Sequence, residues 1–202
     1  SSRASILTGQ YSHTHKVVDN YAPAPKGITY FPQYLQKKGY QTSFFGKWHM
    51  GSATDEPRPG FDHWESFKGQ GVYYNPTLNI NGVQKTYKDS TYITDLLTEH
   101  AINWLKNIEC KKPFFMYLSH KAIHGPYKPP KRHLGIFDDV RFTLPPSFNT
   151  SAQPVKGKSH PYGYEDYLGP DKDPLEVPAK GEEYYGEGRV PDWQKMQRES
   201  WH

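Results

Sequence analysis

The sequence of 202 residues contains a single cysteine, Cys110, so no internal disulfide can form and cysteine usage does not set the compartment. Long apolar runs are missing as well. The longest is Phe114 to Leu118, far short of the roughly 20 residues a membrane-spanning helix needs. Only 35% of the residues are hydrophobic and the mean hydropathy is −0.89. No heptads recur, which excludes a coiled coil, and there are no internal repeats. There is no basic stripe of the kind nucleic acid demands: 25 basic and 21 acidic residues leave a net charge of +4. That balance is compatible with an anionic substrate.

Aromatic residues carry much of the apolar content, with 16 Tyr, 10 Phe and 5 Trp. Glycine (17) and proline (18) are abundant, so the expectation is a loop-rich globular protein with aromatic-lined surfaces. Ten histidines add side chains that titrate near neutrality. The chain begins at Ser1 without Met or a signal-like segment and stops at Trp201-His202 without a closing element. The expectation is a piece of a longer protein, truncated at both ends.

Pattern and punctuation predict the elements. Ser2 to Thr8 is a short helix, with Ser2 able to cap it. Tyr11 to Gly27 is a loop broken by Pro23 and Pro25. Thr29 to Lys38 is a helix ended by Gly39, and Gln41 to Gly46 a strand burying Phe44 and Phe45. Gly60 to Gly71 is a loop. Leu78–Ile80 and Val83–Tyr87 form a hairpin about Asn81-Gly82, the strongest short hairpin signal. Ser90 to Ile108 is the best helix, with Ile93, Leu96, Leu97, Ala101, Trp104, Leu105 and Ile108 on one face. Pro113 to Ser119 is a buried strand. Beyond Gly125 the pattern dissolves into long, Pro-rich loops. Strands alternating with helices predict an α/β protein.

Three segments at element ends carry candidate chemistry. In Ser1-Ser2-Arg3-Ala4-Ser5-Ile6-Leu7-Thr8-Gly9, backbone donors, a hydroxyl and a guanidinium suit an anion, although a capped surface helix would look the same. In Gly46-Lys47-Trp48-His49-Met50-Gly51, Lys47 and His49 point the same way if the backbone stays extended. An ammonium beside an imidazole suits an anionic oxygen plus proton transfer; a solvated strand end with Trp48 packed inward is the alternative. The third segment is Ser119-His120-Lys121-Ala122-Ile123-His124-Gly125-Pro126-Tyr127. It is an active-site loop, a satisfied His pair or an exposed basic loop. Zinc is poorly supported, for no cysteine or carboxylate stands at ligand spacing. Asp138-Asp139 reads as a solvated pair.

Taken together, the three segments resemble the type I sulfatases of the alkaline-phosphatase-like superfamily. Ser2-Arg3 and Thr8-Gly9 match the second half of that family's Cys/Ser-x-Pro-Ser-Arg…Thr-Gly signature, Gly46 to Gly51 matches its Gly-Lys-Trp-His-Leu-Gly segment, and His124-Gly125-Pro126-Tyr127 its third active-site segment. The resemblance implies a partial sulfatase fold: a mixed sheet flanked by helices, with long loops. Residues 1–202 would be part of one catalytic domain, with a motif-bearing core to about 130 and a loop-rich substrate-side segment from about 131.

The resemblance implies a sulfuric ester hydrolase that releases sulfate from a sulfated sugar or glycan. A 6-sulfated amino sugar of a glycosaminoglycan is the preferred substrate. The nucleophile would be a formylglycine made from a Cys or Ser two residues before Ser1 by a formylglycine-generating enzyme. Calcium would be the metal, with ligands outside this chain and none within it. Arg3 would hold the hydrated formylglycine and Lys47 a sulfate oxygen. His124 would help protonate the leaving alcohol, and His49 would take the proton that lets sulfate depart. His120, Lys121 and Gln70 are candidates to touch the alcohol part, and Trp64, Tyr73 and Tyr74 to stack on a sugar ring. Ser1 stands where the family usually has Pro.

Alone, this piece is expected to be inactive. Two alternatives stay open: a phosphate or phosphonate ester hydrolase of the same superfamily, and a non-catalytic relative that binds sulfated glycans. The expected location is periplasmic or secreted, or lysosomal in a eukaryote, where the sequon Asn149-Thr150-Ser151 could be used.

Overall fold

The computed structural model describes residues 2–141 and 143, apart from 21 and 52. The chain divides into two units. The first holds the described residues up to Tyr127, and the second begins at Lys128. The expected substrate-side segment past residue 143 and the sequon lie outside the described residues. In the second unit a 3-10 turn spans Lys131–His133, and Asp138 and Asp139 are exposed, as expected for a solvated pair.

Among the described residues the first unit is built on five strands. β1 (Gln41–Lys47) is central, β2 (His63–Phe67) and β5 (Phe114–Ser119) flank it in parallel, and β3 (Thr77–Ile80) and β4 (Val83–Thr86) extend the sheet antiparallel in the order β4-β3-β2-β1-β5. α1 (Ser2–Thr8), α2 (Ser12–His15) and α3 (Pro32–Lys37) precede the sheet, and α4 (Ile93–Asn107) precedes β5. The parallel pairs need crossover connections, and α4 supplies the one into β5.

Side-chain alternation along β1 splits the core in two. Phe44 joins Ala4, Leu7, Val17, Tyr30, Trp48, Met50 and Trp64 on one side. Phe45 joins Phe67, Leu78, Ile93, Leu96, Leu97 and Ala101 on the other. The first cluster is cemented by rings: Phe44 stacks on Trp64 at 4.6 Å, and Trp48 meets Trp64 edge-on at 5.3 Å. Of the apolar stripe read from the sequence on α4, Ile93, Leu96, Leu97 and Ala101 are buried, Trp104 and Ile108 are half-buried and Leu105 is exposed; sealing Leu97 completely is worth about 2 kcal/mol.

Four expectations are corrected. Gly60 to Gly71 is not a loop throughout, because β2 runs through it; its pattern was hidden since both faces are covered, Trp64 on one and Glu65 on the other. A four-residue helix, α2, interrupts the loop expected from Tyr11 to Gly27. Ser2 lies inside α1 rather than capping it. Among the described residues β5 is the last strand of the sheet and is not fully buried, with Phe114 and Leu118 exposed.

Glu65 is held in the sheet's interior by two imidazoles. His63 Nε2 donates to Oε1 at 2.8 Å and His100 Nδ1 to Oε2 at 2.6 Å. Burial pushes the Glu65 carboxyl up, but the hydrogen bonds from His100 and His63 outweigh it, so the group lies below its ordinary range. A carboxyl depressed by folding stabilises the fold fully above the unfolded value, and that contribution is lost as pH falls through the folded one. Glu65→Ala leaves two imidazole donors facing a cavity. It is expected to cost about 3 kcal/mol at neutral pH in denaturant unfolding, and less as pH falls below the ordinary carboxylate range.

Candidate active site

The three candidate segments converge where the parallel strands β1 and β5 end, the edge at which open α/β sheets place their sites. Gly46 permits the convergence. Its φ is +103°, and a Cβ there would lie 2.8 Å from the Ser119 carbonyl carbon and closer still to its oxygen. Only glycine lets the two strand ends approach this far. Past it, β1 delivers Lys47 and the chain turns through His49, at φ +47°, to Gly51.

Arg3, on α1, donates from Nε to Ser119 Oγ at 3.1 Å, which ties the first segment to the end of β5. Lys47 is buried and donates from Nζ to Gln70 Oε1 on the loop after β2. Lys121, only 3% exposed, donates to the Gln70 carbonyl at 3.2 Å and the Gly125 carbonyl at 3.4 Å, and lies 4.8 Å from the centre of the Tyr73 ring. Tyr73 donates its hydroxyl to the His124 carbonyl at 2.6 Å. His124 Nδ1 lies 2.9 Å from the Gly125 carbonyl, so Nδ1 carries a hydrogen and Nε2 is left as the proton-exchanging atom.

The electrostatics are those of cations held together. Burial, then Arg3 and Lys121, lower Lys47 to about 8. Burial, then Lys47, Arg3 and His124, lower His49 to about 3, so His49 is neutral at any working pH. His124 is lowered chiefly by burial, partly restored by its bond to Gly125, and lowered again by Lys47 and Lys121. Burial also lowers Arg3 and Lys121. Among the described residues no carboxylate contributes to the shift of Lys47, His49 or His124, so nothing of opposite charge offsets this repulsion. Such a cluster stores affinity for an anion, because a bound negative charge relieves every one of these repulsions at once.

Arg3, Lys47, His49, His124, Lys121 and Gln70 are therefore brought together. His120 is near in sequence but different in kind: burial lowers it, and its Nδ1 is enclosed with no hydrogen-bond partner among the described residues. Trp64 and Tyr73 are buried and cannot stack on a sugar ring, because both are used in the core. Tyr74 packs on Tyr92. Nothing in the sequence shows that Ser119, the first residue of the third segment, anchors Arg3 or that Tyr73 braces the His124 backbone. The Ser-His junction after β5 was the only signal for the place of Ser119 at the site.

A separate Ser–His contact is structural. His15 Nδ1 accepts from the Val17 backbone N–H at 3.0 Å, so the hydrogen sits on Nε2, which donates to Ser5 Oγ at 3.0 Å. With that tautomer His15 cannot act as a base toward Ser5.

The Sulfatase family model matches residues 1–145. An N-acetylglucosamine-6-O-sulfatase of Bacteroides thetaiotaomicron is 44% identical over 147 residues, covering 71% of this chain and 25% of the relative. An N-acetylglucosamine-6-sulfatase of Capra hircus is 32% identical over 168 residues, covering 73% of this chain and 30% of the relative. Among solved structures, BT4656 in complex with its substrate D-glucosamine-2-N,6-O-disulfate superposes with a TM-score of 0.69 at 33% identity, covering 99% of this chain and 42% of that one. The chain thus spans about a quarter to two-fifths of the length of these relatives.

Proposed function

The chain belongs to the sulfatase family and carries a mixed-sheet portion of its alkaline-phosphatase-like fold, and on that premise we propose that it supplies the anion pocket of a sulfuric ester hydrolase acting on a sulfated sugar. The observation that carries this reading is the gathering of Arg3, Lys47 and Lys121 about two neutral imidazoles. A sulfate ester keeps its negative charge at every working pH, so cations suit its oxygens and imidazoles suit the protons. The names of the similar proteins support a glucosamine 6-sulfate as the substrate class.

Each residue has a part in this proposal. Lys47 and Arg3 face the developing negative charge on oxygen. His124 keeps Nδ1–H committed to Gly125, so Nε2 must first take up a proton, favoured once the bound anion offsets Lys47 and Lys121, and it is this imidazolium that hands its Nε2 proton to the leaving alcohol and returns to neutral. His49 is too weak a base in the empty pocket. A bound sulfate cancels the repulsion from Lys47 and Arg3 and raises its affinity for a proton, so His49 takes one only when the pocket is full. Lys121 and Gln70 line the same pocket.

Calcium does not fit the residues described. It takes about six to eight oxygen ligands, whereas this cluster is cationic, and among the described residues no three His, Cys, Asp or Glu side chains converge. Its ligands and the formylglycine nucleophile are assigned in this proposal to chain outside residues 1–202, as parts of one catalytic domain, and the formylglycine-generating enzyme would read that nucleophile together with the Ser1 to Arg3 end of its signature. Among the described residues no helix is long and apolar enough to cross a membrane. Periplasmic or secreted placement is proposed because sulfated glycans lie outside the cytoplasm.

The test is sulfate release by the full-length protein from N-acetylglucosamine 6-sulfate and from an aryl phosphate of similar size. Sulfate release that falls about 100-fold in His124→Ala supports the proposal. Phosphate release with no sulfate release overturns it.

A further inference from the structure

Two buried lysines in this pocket share one partner. Lys47 Nζ donates to the side-chain carbonyl of Gln70, and Lys121 Nζ donates to its backbone carbonyl at 3.2 Å. Gln70 stands between Gly69 (φ +53°) and Gly71 (φ +64°), and a Cβ at Gly71 would lie 2.5 Å from the Phe67 ring. The turn after β2 is thus wedged against the core and sets the height at which Gln70 meets both ammonium groups. We infer that Gln70 is a positioning residue, which holds Lys47 with its side chain and Lys121 with its backbone so that both ammonium groups face the bound anion. This deepens the proposed function above and rests on its pocket.

The chemistry explains why an amide stands there. Lys47 faces Arg3 from α1, Lys121 and His124 from the chain after β5, and His49 from its own segment. Each of the cations opposes its charge, and a carbonyl acceptor favours it. A carboxylate in this position would favour it more strongly but would cancel the field that draws the substrate's anion. A neutral acceptor fixes the ammonium without consuming its charge. The Gln70 carbonyl end is taken by Lys47, because an ammonium has no acceptor to offer, so Lys47 also decides which way the amide is turned.

The experiment is a calorimetric titration of inorganic sulfate into the full-length protein and two variants across pH 6–10. Gln70→Leu keeps the bulk and removes the acceptor. Gln70→Glu keeps the acceptor and adds charge. For the parent, sulfate affinity falls as pH rises through the value of Lys47. In Gln70→Leu that fall moves down by about one pH unit, with affinity about tenfold lower at pH 7. In Gln70→Glu it moves up while the plateau affinity drops at least tenfold. Opposite movements in the two variants are not produced by loosened packing, which shifts both alike. A common midpoint in parent and variants overturns the inference. If the parent binds sulfate with these shifts yet hydrolyses no sulfate ester, the inference stands and the enzymatic reading fails.

Discussion

Lys47→Ala is expected to lower kcat/KM for sulfate release about 1,000-fold, the scale of losing one preorganised charged donor from a desolvated site. Lys47 is suited to such a loss because its ammonium is buried among like charges, where no described carboxylate or solvent shell already consumes its field. Its pH signature follows from the direction of its shift. Folding lowers Lys47 to about 8, so the cation that binds the anion is complete below that pH and is lost above it. The kcat/KM profile, which reports free enzyme, should therefore fall on the alkaline side near pH 8. The kcat profile should fall at higher pH, because a bound anion restores the cation. Lys47→Arg keeps the charge at every accessible pH and is expected to abolish that alkaline fall while losing roughly tenfold in rate through changed geometry. Pre-steady-state and pH-rate measurements on the three proteins check this. A wild-type alkaline limb that persists unchanged in Lys47→Arg would remove Lys47 from the substrate's anion.

The sequence discloses β1 and β5 as short aromatic or apolar runs next to Gly and Pro breakers, and the hairpin and α4 by a turn signal and an apolar stripe that survive tertiary context. Asn81-Gly82 and the stripe Ile93, Leu96, Leu97 and Ala101 are of that kind. β2 was illegible for a physical reason. A charged Glu65 at an interior position reads as surface, and only His63 and His100, one neighbouring and one from α4, make it tolerable inside. The same holds at the site. Arg3, Lys47, His49 and His124 are visible as motif letters. That Lys121 is buried, and that Tyr73 braces the His124 backbone rather than meeting a sugar, depends on contacts across about 50 residues of sequence, which no spacing rule carries. Position was legible where chemistry and element ends coincide. Partnership was not.

Gly46→Ala is expected to remove the site by removing the approach that forms it. The new methyl would meet the Ser119 carbonyl group within van der Waals distance and Leu97 Cδ1 at 3.3 Å, and the backbone would keep an unfavourable φ of +103°. A flexible side chain could yield, but the obstacle here is backbone that is already hydrogen-bonded into the sheet, with Gly46 paired to Ser119 across β1 and β5. Ser66 Oγ also donates to the Gly46 carbonyl at 2.9 Å, so β1 is held from the other side and cannot retreat without stranding a buried hydroxyl. Left-handed strain and overpacking together are expected to cost about 4 kcal/mol, enough to depopulate a marginally stable fold. Because Ser119 anchors Arg3 and the following turn carries Lys121 and His124, any molecules that do fold would splay the pocket. Thermal unfolding and sulfate titration of the full-length variant separate the two effects. A near-native melting temperature with intact sulfate binding would mean that the strand ends can part without disturbing the pocket, contrary to the geometry of Gly46.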